Sequence, residues 1–133
     1  MTNREFESIV ENIYSYDSRY KEDAYVFVME ALAFTQRKIQ SIKHVTGDKL
    51  LEGIKELLLQ KYGPMTMTVL QHWGIHTTED FGNIVFNLVE NRVLSKSTDD
   101  TVESFRNGFS FDEVFNRGYR KQLHQKISRM RGI

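Results

Sequence analysis

Cysteine does not occur among the 133 residues, and proline and tryptophan occur once each. The missing cysteines exclude disulfides, thiolate metal sites and cysteine nucleophiles, and they suit a reducing compartment. No apolar run approaches the roughly 18–20 residues that cross a bilayer. The opening residues Met1 to Glu7 carry charges where a secretory leader is apolar, so the expectation is a cytoplasmic protein. The nucleotide and hydrolase signatures Gly-x-Gly-x-x-Gly and Gly-x-Ser-x-Gly are absent. Internal repeats, low-complexity tracts and domain linkers are absent as well. No constellation of residues compels a reaction, and the expectation is that the chain is not an enzyme and takes no cofactor.

What is present is an ordinary globular composition, 40% hydrophobic and 27% charged, in a length that suits one domain. The net charge of zero hides an asymmetry. Residues 1–116 carry 12 Lys/Arg against 18 Asp/Glu, a balance of −6, whereas residues 117–133 carry six cations and no acid. Those cations are Arg117, Arg120, Lys121, Lys126, Arg129 and Arg131. The chain therefore divides into a single helical domain over 1–116 and a basic C-terminal tail over 117–133.

Thr2 and Glu5 have capping-box spacing, and Phe6, Ile9, Val10 and Ile13 follow at helical intervals, predicting a first helix over about 3–14. A second, richly apolar helix runs from about Glu22 to Ile42, and a third follows a Thr46 cap and ends at Gly63. Pro64 suits the start of a short fourth helix closed by Gly74, and Thr77 caps a fifth. Beyond Asn91, short apolar pairs flank Asn107-Gly108, a hairpin turn signal, which predicts a small β-hairpin near 93–111. In the tail, Tyr119, Leu123, Ile127 and Met130 recur at helical spacing and give it an amphipathic seam. The expected fold is mainly α: about five helices with a C-terminal hairpin, in the element order of a winged helix, plus the basic helical tail.

Several segments resemble a family of small bacterial proteins of about this length. They are Glu22 to Val28, His44-Val45-Thr46-Gly47, Tyr62-Gly63-Pro64-Met65, Trp73-Gly74-Ile75 and Thr77 to Val89. The likeness runs over about residues 14–115 and leaves the basic tail outside the family pattern. It implies one compact domain and transfers no activity and no site residue.

Two candidate sites dissolve on inspection. His72 and His76 are four apart, but Gly74 lies between them, so a surface pair beside Trp73 explains them better than a metal site. His44 to Lys49 lacks the spaced glycines of a phosphate loop, and Thr46 as a helix cap accounts for it. Tyr14, Tyr16, Tyr20 and Tyr25 could line a groove, though tyrosines at such a junction more often pack with wet hydroxyls. A winged helix would read DNA with its fifth helix, whose first turn holds Glu79 and Asp80 and so repels phosphate. These observations favour a non-catalytic interaction module that binds protein through a winged-helix-like body. The alternative is a nucleic-acid-associated protein holding phosphate backbone through the six tail cations. Self-association and an anionic membrane surface are further partners for such a tail.

Overall fold

A computed structural model of the chain describes residues 1–40, 45–95, 102–106 and 108–131; Val102, Glu103, Tyr119 and Arg131 are described by their backbone alone. The described residues are mainly helical: α1 (Asn3–Tyr16), α2 (Glu22–Lys38), α3 (Gly47–Tyr62), α4 (Thr66–Trp73), α5 (Thr78–Glu90) and α6 (Tyr119–Arg131). Short 3-10 turns at Gly63–Met65 and Val102–Phe105 and a π-helical turn at Asp112–Gly118 complete the elements.

Local chemistry sets the starts of α1, α3 and α5. The Thr2 hydroxyl accepts from the Glu5 amide at 3.1 Å, and the Thr46 hydroxyl accepts from the Lys49 amide at 3.4 Å, each satisfying an amide that the first helical turn leaves unpaired. Asp80, in the first turn of α5, accepts from the amides of Thr77 at 3.1 Å and His76 at 2.7 Å. Its charge also lies at the positive end of the helix.

α2 is the centre of the body. It touches α1, α3, α4 and α5, and so Ala24, Tyr25, Phe27, Val28, Ala31 and Thr35 are all buried along it. Its closest approach is to α3, where a Cβ on Gly53 would lie 1.8 Å from Thr35 Oγ1. Trp73 closes the other end, with ring centroids 5.3 Å from Phe27 and 5.7 Å from Tyr62. The chain then reverses at Gly74, whose φ of +85° is left-handed. A Cβ there would also stand 2.2 Å from the Arg19 carbonyl oxygen, so the corner after α4 can press against the α1–α2 loop. The Lys21 amide donates to the Trp73 carbonyl at 3.2 Å across the same contact.

The hairpin near 93–111 is not formed: no strand occurs among the described residues, and the winged-helix assignment falls with it. The reason lies in Thr78. Its buried hydroxyl donates to the Phe105 carbonyl and accepts from the Gly108 amide at 3.1 Å, so backbone groups available to a hairpin ladder are held by a side chain of α5. Phe109, Phe111 and Phe115 gather in one cluster with Phe81, at centroid separations from 5.5 to 6.1 Å. Phe105 is buried against two glycines, Gly47 of α3 and Gly82 of α5. Asn107, half of the turn signal, lies outside the described residues, as do His44, the segment 96–100 and the expected last turn of the second helix at 41–42.

Candidate functional site

Two surfaces of opposite character stand out: a polar seam between α5 and the α1–α2 junction, and the tail helix α6.

In the seam, α5 and its C-terminal cap present Asn83, Asn87 and Asn91 at a spacing of four, on one side of the helix. Each meets a tyrosine. The Asn83 amide donates to the Tyr20 hydroxyl at 3.0 Å, Asn87 to the Tyr25 hydroxyl at 3.1 Å, and Asn91 to the Tyr16 hydroxyl at 2.8 Å. The Tyr20 hydroxyl in turn donates to Asp80 at 2.6 Å. Of the four tyrosines in the expected groove, Tyr20 and Tyr25 are buried with their hydroxyls bonded inside the protein, and Tyr14 and Tyr16 are exposed. Asp17 joins the seam: it accepts from Asn87 at 2.9 Å and from Arg19 Nε and Nη2 at 2.9 and 2.8 Å.

The electrostatics of the seam run away from neutrality. The Arg19 guanidinium beside Asp17 holds its carboxyl well below the usual carboxylate range, against the opposing effect of burial and with help from Asn87. Burial, followed by the Asp80 hydrogen bond, pushes the Tyr20 hydroxyl above its usual value; burial does the same to Tyr25. These groups keep one protonation state around neutral pH, which suits scaffolding more than acid–base exchange. Among the described residues no buried side-chain nitrogen or oxygen lacks a partner.

Over the seam lies a shallow groove of about 690 Å³, lined by Tyr16, Asp17, Ser18, Arg19, Asn83, Phe86 and Asn87. Its exposed walls are aromatic, with Phe86 49% and Tyr16 57% accessible.

The tail is built differently. Arg120, Lys121, Lys126 and Arg129 are exposed on α6, and none forms an ion pair among the described residues. Arg117 precedes the helix and is paired with Asp112, Nε to Oδ2 at 2.9 Å. The Arg131 and Tyr119 side chains lie outside the described residues. Leu123, Ile127 and Met130 are 44%, 44% and 63% accessible. At about 100° per residue these three fall within an arc of roughly 60°. Lys126 and Arg120 flank that arc on its two sides, and Lys121 and Arg129 point to the opposite half of the helix. The cations thus surround α6 and do not form one face.

His72 and His76 are both exposed, and among the described residues no group of three or more metal-binding side chains is assembled. Asp80, the nearest carboxylate in sequence to His76 after Glu79, already accepts three hydrogen bonds. No described helix is long and apolar enough to cross a membrane.

The asparagine–tyrosine seam was open to sequence reasoning only in part. A period of four in Asn83, Asn87 and Asn91 is visible in the chain, but the tyrosines that answer it come from 62 to 75 residues earlier and are placed by tertiary packing. Comparison with protein-family models, curated proteins and solved structures finds no match to the chain. The bacterial family likeness rests on its segments alone.

Proposed function

We propose that this chain is a non-catalytic protein-interaction module whose contact element is α6. The observation that carries the reading is the exposed arc of Leu123, Ile127 and Met130, flanked by Lys126 and Arg120. A helix of 13 residues is marginal in water when nothing packs on it, so an apolar arc of this kind calls for a surface to cover it. The matching partner is a protein surface with an apolar groove and an acidic rim. A reducing, cytoplasmic setting belongs to the same reading, supported by the absence of cysteine.

The four unpaired cations of α6 favour a second reading, in which they neutralise nucleic-acid phosphates. Their spread around the helix counts against it, because a phosphate backbone approaches from one side and leaves Lys121 and Arg129 or Lys126 and Arg120 unused. A photoreactive residue at position 127, inside the arc, and at position 125, outside it, separates the readings in cells. The expected outcome is a discrete protein adduct from position 127 that survives nuclease, with little from position 125. Nuclease-sensitive adducts of equal yield from both positions would replace the protein reading with the nucleic-acid one.

A further inference from the structure

We infer that the surface covering α6 is a second copy of this chain: α6 of one copy docks in the Tyr16–Phe86 groove of another, and two copies exchange helices reciprocally. The inference rests on the reading of α6 as the contact element and adds the identity of its partner.

Charge complementarity is the first argument. The body carries −6 and the tail +6, so the chain holds both halves of an electrostatic pair in equal amount. In the described structure Arg117 alone of the tail cations is ion-paired with the body, through Asp112, and residues 120–130 are all exposed. A second copy supplies the opposite charge in matching stoichiometry.

Shape and polarity give the second argument. α6 offers an apolar strip from Leu123 to Met130, about 10 Å long at 1.5 Å per residue. The groove offers two exposed aromatic walls on a floor where Asp17 and the amide nitrogens of Asn83 and Asn87 are already bonded within the seam, with the Ser18 hydroxyl at its edge. Seating apolar side chains over these bonded atoms strands none of them, which lowers the desolvation cost of covering the groove. Exposed Glu90 lies one turn beyond Phe86 on α5, placed for a cation at the edge of the arc. The Arg19 guanidinium, the one cation of the groove lining, is held by Asp17.

Reciprocal exchange closes the assembly. Each copy gives one helix and receives one, which makes a two-fold dimer with both grooves filled.

Sedimentation of the purified full chain tests this at about 0.05 M and about 0.5 M salt. The expected species is a dimer, twice the 15.7 kDa of one chain, with at least ten-fold weaker association at the higher salt. Leu123→Glu with Ile127→Glu, and separately Phe86→Ser, should each give monomers. All three residues are exposed, and unchanged circular dichroism would verify that the body is folded. Mixing the two variants should restore a dimer in part, because one intact helix then meets one intact groove. A wild-type monomer at about 100 μM, some hundred-fold above a micromolar Kd, would overturn the inference. So would a Phe86→Ser chain that dimerises as well as wild type, which would indicate α6 pairing with α6. A monomeric chain that still yields the position-127 adduct with a different protein would sink the second-copy inference and leave the interaction-module reading standing.

Discussion

The seam under α5 and the tail helix α6 are built on the same helical periodicity and reach opposite results. In the seam, asparagines four residues apart find three tyrosine hydroxyls and a carboxylate, and among the described residues no buried side-chain polar atom lacks a partner. In α6, apolar residues three and four apart stay exposed, and four cations form no ion pair among the described residues. The difference shows where the body ends in energetic terms. The seam helps fix one arrangement of α1, α2 and α5, whereas α6 contributes little to that arrangement and is available for work outside it.

Mutations can break this contrast, and the largest effects belong to the body. Trp73→Ala should cost about 3–5 kcal/mol, because the indole fills the corner between Phe27 and Tyr62 and leaves a cavity. Chemical denaturation should show a much lower midpoint with an unchanged slope. Asn87→Ala should come next, at about 1–3 kcal/mol, since it removes the donor shared by Asp17 and the buried Tyr25 hydroxyl. Asn87→Asp would be worse than Asn87→Ala if the seam is as described, because it sets a second carboxylate against Asp17.

The acid limb of stability sharpens the same point. Asp17 has a carboxyl held below its ordinary range in the folded state, so its stabilising contribution is complete above the ordinary carboxylate pKa of about 4 and is lost as pH falls below it. Arg19→Gln removes the main cause of the depression. It should flatten the loss of stability below about pH 4 while costing roughly 1 kcal/mol or less at neutral pH, because the Arg19 side chain is 58% accessible. Thermal unfolding at a series of pH values measures both. The smallest effect is predicted for the tail: Leu123→Gln or Lys126→Ala should leave body stability of the dilute chain within about 0.5 kcal/mol of wild type.

Much of the body was legible in the sequence because its signals are local. Thr2, Thr46 and Thr77 mark helix starts through hydrogen bonds spanning a few residues, and Gly74 marks a corner through its own backbone. The hairpin was misread for the converse reason. Asn107-Gly108 carries a strong local turn preference, but the conformation of its neighbours answers to Thr78, Gly47 and Gly82, which lie at least 23 residues away in sequence. The π-helical turn over Asp112–Gly118 carries Phe115 into a cluster with Phe109 and Phe111, which Phe81 of α5 joins from 30 residues away. For the candidate site, the seam of α6 was visible as spacing in Leu123, Ile127 and Met130. Spacing says that a helix has an apolar side and leaves open whether its own body covers that side. Only the exposure of these three residues decides it.

Amide hydrogen exchange, followed through α6 and α5 in the same purified chain at low and high protein concentration, tests the contrast most directly. The account predicts that α5 amides are protected at both concentrations. It predicts that α6 amides exchange almost freely in the dilute chain, as a marginal 13-residue helix should, and become protected as concentration rises. Protection of α6 equal to that of α5 in the dilute chain would show the tail docked on its own body and would contradict the account.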